Sequence, residues 1–195
     1  PVDSLRSRGD CGPPPAAAPD YGATLARIRR ELTAVGAALG SPVLQRGLPD
    51  LESAITRKAD MVAQFRKANA DSKAVLAQVL GADAEIAALV RGSWQDFRER
   101  ERLVAAENAA VHLIAESQRY YFAPTEVQRR VVETVAADLR QAGTRLPAAL
   151  REGLARLDDR VKALLAAKPV EDGLYQKLSF VTAGDRESTR LKSSH

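Results

Sequence analysis

Few side chains in this sequence are of the types that perform catalysis or bind metal ions. The chain contains two histidines, His112 and His195, and one cysteine, Cys11. His112 and Glu116 are four residues apart and would share one face of a helix, but a zinc site needs at least one further ligand. No glycine-rich phosphate loop, Cys-x-x-Cys pair or Gly-x-Ser-x-Gly motif is present. We therefore expect no enzyme activity, metal or cofactor in this chain.

Polar residues that interrupt apolar stripes are more informative. One stripe with alternating steps of four and three runs through Leu51, Ile55, Lys58, Val62, Phe65, Asn69, Ser72, Leu76 and Val79. A second stripe runs through Ile86, Val90, Ser93, Phe97, Val104, Asn108, Val111, Ala115, Gln118 and Phe122. An unpaired polar group in a dry core costs about 1 to 3 kcal/mol. Lys58, Asn69, Asn108 and Gln118 are therefore candidate ligand-binding residues of a polar pocket between helices.

Simpler interpretations of these polar residues stay open. The stripe is displaced by one position if the helical phase is misjudged in part of a helix. Lys58 reaches solvent if its long aliphatic stem lies along the apolar surface. Asn69 fixes the register of two helices if it pairs with a polar group across the seam.

These residues require helices to position them, and the composition agrees. Hydrophobic residues make up 45% of the 195 residues and aromatic residues only 5%, so alanine, leucine and valine dominate the apolar content. We predict an all-α fold, an elongated up-and-down helical bundle with two long antiparallel helices and three or four shorter ones. No uncharged run reaches the roughly 18 residues of a membrane span. The net charge of +4 is spread over mixed-sign sequence, which does not favour nucleic-acid binding.

Helix boundaries follow from proline, glycine and capping residues. A first helix covers the apolar stripe from Leu25 to Leu39 and ends at Gly40. A second begins at a cap, Asp50, and ends near Gly81, where Asp83 caps a third that ends before Pro124.

Two further prolines place the later helices. Pro124 suits the first turn of a fourth helix, which ends near Gly143. Pro147 similarly opens a fifth helix, with Pro169 as its end, and a short apolar segment from Leu174 to Val181 follows.

Two segments resemble a known family. The stretch 51–70 contains Lys58, Phe65, Lys67, Asn69 and Ala70 in a pattern similar to that of the DAHL domain, the double all-α-helical ligand-binding sensory domain of bacterial histidine kinases. The stretch 154–172, in which Lys168-Pro169 is followed by Glu171 and Asp172, is similar to a later element of that family. Ala59, Ala74 and Val75 depart from the family pattern, at an acidic position and at an Asn-Ser pair.

The resemblance implies a sensory, non-enzymatic fragment of a larger protein. We expect a disordered leader at 1–19, a helical sensory domain at 20–182, and a non-native, disordered tail at 183–195 whose end is similar to translated adapter sequence. The parent protein would be a sensor histidine kinase of a two-component system, and this domain would lie at the periplasmic face of the bacterial inner membrane. The membrane would be contacted only through segments absent from this chain.

The expected partner is an unidentified small-molecule ligand or a periplasmic protein, and a homodimer is possible. The alternative function is a non-catalytic helical scaffold or coiled-coil interaction module, in which the heptad stripes bury a partner helix or a second copy of the chain.

Overall fold

The structure, a computed structural model, describes residues 21–40, 42–94 and 100–192. Within these ranges it contains five helices and no strand, which confirms the all-α prediction. The helices are α1 (Tyr21–Leu39), α2 (Pro42–Gly92), α3 (Arg100–Phe122), α4 (Glu126–Gly143) and α5 (Ala148–Lys192). None of the described helices is long and apolar enough to cross a membrane. The predicted leader at 1–19 lies outside the described residues.

The chain divides into two compact units, residues 1–60 and 61–195. In the first unit, Arg29 of α1 forms an ion pair with Glu52 of α2 at 3.2 Å. A cleft of about 240 Å³ lies between these two helices, and Ile55 and Thr56 line it. The division at residue 60 differs from the expected single sensory domain at 20–182, whose boundaries stay a prediction.

The second unit contains the main apolar core, to which α2, α3, α4 and α5 all contribute. Branched apolar side chains alternate along each helix at the spacing that keeps them on one face. The largest side chains that are almost completely buried are Val79, Ile86, Val90, Leu103, Leu113, Val132, Leu139, Leu150, Leu157, Val161 and Leu164. The connections between α3 and α4 and between α4 and α5 are short, which favours antiparallel neighbours. A Cβ atom at Gly153 would lie 2.5 Å from Leu89 Cδ1, so glycine permits this close approach of α5 to α2.

The two long helices are α2 and α5, and two expected breaks in the chain are wrong. Helix α2 begins at Pro42 and continues through Asp50, Gly81 and Asp83, so neither aspartate caps a helix and α3 begins only at Arg100. A glycine inside a helix costs only about 1 kcal/mol. Burial of the continuous apolar face on either side of Gly81 exceeds that cost.

The predicted end of the last helix at Pro169 is also wrong, because α5 continues through this proline to Lys192, into the segment predicted as a tail. An internal proline removes one backbone hydrogen bond, and here contacts on both sides of Pro169 hold the helix. The start of α4 differs by two residues from the expectation. Thr125 is its cap, and Thr125 Oγ1 accepts a hydrogen bond from the amide of Gln128 at 3.1 Å, so Pro124 precedes the cap.

Candidate functional site

A cluster of polar side chains, three of them buried and Asn69 half-buried, joins α2 to α5. On α2, Ser72 is completely buried and Asn69 lies one turn before it on the same face. On α5, Lys168 and Glu171 are 7% and 6% exposed, and they are adjacent because residues three apart share a helix face. We call these four residues the buried cluster. Burial of this kind is expensive unless the groups are paired, so their geometry decides what they do.

The Glu171 carboxylate is the centre of the buried cluster. Its Oε1 accepts a hydrogen bond from Asn69 Nδ2 at 2.7 Å, and its Oε2 accepts one from Ser72 Oγ. Lys168 Nζ lies 3.3 Å from Glu171 Oε1 and 2.9 Å from Asp172 Oδ1. The same ammonium lies 4.8 Å from the centroid of the Tyr121 ring, within the range of a cation–π contact. Both charges of the cluster are therefore compensated from several directions.

These contacts shift the titration of both ionised groups. Burial disfavours the charged carboxylate of Glu171, but hydrogen bonds from Ser72, Asn69 and Lys168 outweigh it and lower its pKa below the usual value. Burial likewise disfavours the Lys168 ammonium, but its bonds to Asp172 and Glu171 outweigh that effect and raise its pKa. The cluster is consequently an ion pair, with both groups charged, at neutral pH.

A cleft of about 300 Å³ adjoins the buried cluster, where the start of α4 approaches α5. The residues that line it are Tyr120, Pro124, Thr125, Glu126, Arg129, Pro169, Asp172, Gly173 and Gln176. Asp172 connects the two places, since it lines the cleft and its carboxylate pairs with Lys168 of the buried cluster. Anything that binds Asp172 in the cleft therefore acts directly on the buried cluster.

The cleft contains charges of both signs. Arg129 Nε donates to Glu133 Oε1 at 3.0 Å, and a guanidinium has five N–H donors, so this bond uses only part of its capacity. Glu126 pairs with Arg130 at 3.3 Å. Tyr120 is only 3% exposed, and burial raises the pKa of its phenol. The walls thus combine a cation, two carboxylates and an aromatic ring.

The four residues predicted to line one pocket differ in burial and in the unit to which they belong. Asn69 lies in the buried cluster. Lys58 is half-buried but belongs to the first unit, 1–60. Asn108 and Gln118 are exposed on α3. The exposed positions of Asn108 and Gln118 differ from the inward positions predicted for them, and Asn69 donates a hydrogen bond to Glu171. The ligand pocket lined by the four residues stays a prediction.

The predicted stripe on α3 does not coincide with the buried face of that helix, and the reason is simple. The predicted stripe assumes one helix from Ile86 to Phe122. In the structure α3 is a separate helix that starts at Arg100, so the direction in which its residues face is independent of α2. Its buried face holds Leu103, Ala106, Ala110, Leu113, Ser117 and Tyr120. This face is shifted by one or two positions from the expected stripe, as the simpler interpretation allowed.

His112 and Glu116, the pair considered for metal binding, lie close together on α3. His112 Nε2 lies 3.5 Å from Glu116 Oε1, and Glu116 Oε2 accepts a hydrogen bond from Gln128 Nε2 at 2.6 Å. Arg119 also pairs with this buried carboxylate. Among the described residues, no group of three or more histidine, cysteine, aspartate or glutamate side chains is arranged to hold a metal ion.

Sequence reasoning named Lys168 and Glu171 as part of a similarity but missed them as site residues. Reading Pro169 as the end of the helix placed Glu171 in a connection between the fifth helix and the short segment from Leu174 to Val181. A usable signal was present: Leu164, Leu165, Lys168 and Glu171 follow helical spacing across the proline. Continuing that spacing brings Lys168 and Glu171 onto one face.

The comparisons with known proteins give no family assignment. No family model, curated protein or solved structure matches this chain. The geometry of the buried cluster and the cleft is therefore the basis on which a function is proposed.

Proposed function

We propose that this chain is a ligand-binding sensory domain of a bacterial membrane-bound two-component signalling protein. The observation that carries the proposal is Asp172, which lines an open cleft and pairs with Lys168. Lys168 also pairs with Glu171, the α5 carboxylate that accepts hydrogen bonds from Asn69 and Ser72 of α2. A bound molecule at this position has a direct way to change how the two long helices contact each other. An enzymatic role is not proposed, since Ser72, the hydroxyl that pairs with the Glu171 carboxylate, is completely buried and out of reach of a substrate.

The charges of the cleft favour a small ligand that carries both an ammonium and a carboxylate, such as a free amino acid. Arg129 would bind the ligand carboxylate, since a guanidinium suits that group geometrically. Asp172, with Glu126 nearby in the lining, would bind the ammonium. A volume of about 300 Å³ lies at the lower end of the range for small-molecule pockets, which suits a ligand of this size.

Signal transmission would use competition for Asp172. A ligand ammonium at Asp172 would weaken its bond to Lys168, and Lys168 would then depend more on Glu171. The missing backbone bond at Pro169 makes this part of α5 the easiest to bend. A ligand shifts the equilibrium between two helix arrangements only if it binds one of them more tightly. The signal would then be a small displacement of α5 against α2.

The extracytoplasmic location and the kinase parent are supported only by the resemblance. The two similar segments, 51–70 and 154–172, contain Asn69 and Glu171, which are hydrogen-bonded to each other. Segments far apart in sequence that share a site are expected in a ligand-binding domain. The parent gene tests this part of the proposal: membrane spans on both sides of this region and a downstream kinase core support it, and a different output domain contradicts it.

Thermal denaturation with a panel of free amino acids tests ligand binding. We expect the unfolding midpoint to rise with the concentration of at least one of these amino acids, because a ligand that binds only the folded chain stabilises it by mass action. The same compounds with the carboxylate amidated, or with the amine acetylated, should give a smaller shift.

Two arginine variants test whether the ligand binds in the cleft. Arg129→Gln should abolish the shift, whereas Arg145→Gln, which alters an exposed arginine outside the cleft, should preserve it. A shift that persists in Arg129→Gln would place the ligand elsewhere. If no zwitterionic compound gives a shift, the proposed ligand class is wrong.

A further inference from the structure

A second cleft lies between α4 and α5, where α4 ends and α5 begins. Its volume is about 350 Å³, slightly larger than the cleft of about 300 Å³ beside the buried cluster. The earlier cleft lies at the start of α4, and the two clefts have no lining residue in common. The second cleft is therefore separate from the place where an amino-acid ligand is proposed to bind.

One part of the second cleft is apolar. Leu139 and Leu154 line it and are only 2% and 5% exposed, and Gly143 and Ala155 line it without large side chains. A Cβ atom at Gly143 would lie 3.8 Å from Leu154 Cδ1, an ordinary contact distance, so glycine leaves space open beside this leucine. Apolar surface in a cleft of this kind favours a ligand with a hydrocarbon body.

The charged part of the second cleft has more cations than anions. Its one lining carboxylate, Asp158, is compensated twice: Oδ1 accepts a hydrogen bond from Arg140 Nη1 at 2.6 Å, and Oδ2 lies 2.7 Å from Lys162 Nζ. The bond to Asp158 uses only part of the donor capacity of the Arg140 guanidinium. The Arg151 side chain, also in the lining, forms no hydrogen bond or ion pair with another described residue. The charge of the lining therefore favours an anion.

We propose that the second cleft binds a monocarboxylate with a hydrocarbon body, of the size of a medium-chain fatty acid. Arg151 binds the carboxylate, and Arg140 supplies further donors, since a guanidinium suits a carboxylate geometrically. The hydrocarbon body lies against Leu139 and Leu154. A ligand ammonium is disfavoured here because both oxygens of Asp158 already have cationic partners. The proposal does not depend on an amino acid in the first cleft.

Isothermal titration calorimetry of the full chain with octanoate tests the ligand class. Octanoate should bind at one site. Acetate, which lacks the hydrocarbon body, and octanol, which lacks the charge, should each bind at least about tenfold more weakly. Absence of octanoate binding, or an equal affinity for octanol, overturns the proposal.

Two arginine variants test the carboxylate contact. Arg151→Gln should weaken octanoate binding about tenfold, because it removes a charge-assisted hydrogen bond. Arg145→Gln is the matched control: it removes the same charge from an exposed residue that does not line the second cleft, and it should leave the affinity unchanged. An equal loss in both variants would indicate only a general attraction between opposite charges and would overturn the proposal.

A bulky side chain in the lining tests the position of the hydrocarbon body. Ala155→Trp should abolish octanoate binding by filling the cleft, while Ala137→Trp, at an exposed position of α4 outside the lining, should preserve it. Both variants should keep the helical circular dichroism of the wild-type chain, because both alanines are exposed. Octanoate binding that persists in Ala155→Trp overturns the proposal.

Arg129→Gln separates this proposal from that of the first cleft. It should leave octanoate binding unchanged, because Arg129 does not line the second cleft, even though it should abolish the response to amino acids. Octanoate binding that is lost in Arg129→Gln but kept in Arg151→Gln would place octanoate in the first cleft and would overturn the proposal.

Discussion

Helices α2 and α5 meet through charged groups at two places that differ in their exposure to water. At the first, the buried cluster places Glu171 between Asn69, Ser72 and Lys168. At the second, Glu85 binds Arg156 at 2.6 Å and Arg160 at 3.0 Å, and all three side chains are between 28% and 48% exposed. The pKa of Glu85 is also lowered, chiefly by its hydrogen bond to Arg156.

The comparison shows that the number of ion pairs does not measure their importance. An exposed pair gains little, because water and salt screen it, and contributes about 0.2 to 1 kcal/mol. A buried pair gains little relative to apolar residues, but removing one partner leaves an uncompensated charge and costs about 3 to 5 kcal/mol. The buried cluster is therefore the place where a local change has the largest effect on the contact between α2 and α5.

The largest effect is expected for Glu171→Ala. It removes the acceptor for Asn69 and Ser72 and one of the two carboxylates that pair with Lys168. The free energy of unfolding should therefore fall by about 3 kcal/mol, measured by urea denaturation. Glu171→Gln should cost less, because its amide oxygen still accepts a hydrogen bond. Glu152→Ala on the exposed side of α5 is the control and should stay within about 0.5 kcal/mol of wild type. An equal loss in the two alanine variants would contradict the role of burial.

An intermediate effect is expected from pH. Because the pKa of Glu171 is lower in the folded chain than its ordinary value, its ionisation stabilises the fold above pH 4.5, and this contribution is lost as the pH falls through the folded pKa. The stability difference between wild type and Glu171→Gln should therefore narrow between pH 7 and pH 3.

The contribution of Lys168 to stability changes with pH in the opposite direction to that of Glu171. The raised pKa of Lys168 stabilises the fold fully below pH 10.5 and is lost as the pH rises through its folded pKa.

The prediction for the acid range is checked by urea denaturation of wild type and Glu171→Gln between pH 7 and pH 3. A stability difference that stays constant down to pH 3 would show that the Glu171 carboxylate does not titrate as described.

The smallest effect is expected at the exposed contact. Glu85→Gln should reduce the free energy of unfolding by less than 1 kcal/mol, and 1 M salt should remove most of that difference, because screening at this ionic strength acts within about 3 Å. Denaturation at low and high salt measures it. A loss as large as that of Glu171→Ala would erase the distinction between the two contacts.

The sequence predicted one side of the buried cluster and not the other. Asn69 and Ser72 were correctly placed on an inward face because the apolar period of α2 continues without interruption through Val79 and Ile86. The same reasoning failed for Asn108 and Gln118, since the phase of a stripe does not carry over from α2 to the new helix α3.

Glu171 was missed for a different reason. Proline ends most helices, because it removes a hydrogen bond and clashes with the preceding turn. At Pro169 the buried residues on both sides, Leu165 and Glu171, hold the helix together, and such long-range contacts are not visible in local sequence. Likewise, no local pattern announces that Asn69 and Glu171, 102 residues apart, form a hydrogen bond.

A double-mutant cycle between Asn69 and Glu171 is the most direct test of the contact on which the proposed sensor depends. The single variants Asn69→Ala and Glu171→Ala and their combination should be compared by urea denaturation, beside the same cycle for Glu85 and Arg156. A coupling energy above about 1 kcal/mol for the buried pair, and a smaller one for the exposed pair, is the expected result. Additive losses at Asn69 and Glu171 would mean that the two side chains do not interact in the folded chain, and would contradict the hydrogen bond between α2 and α5 on which the account depends.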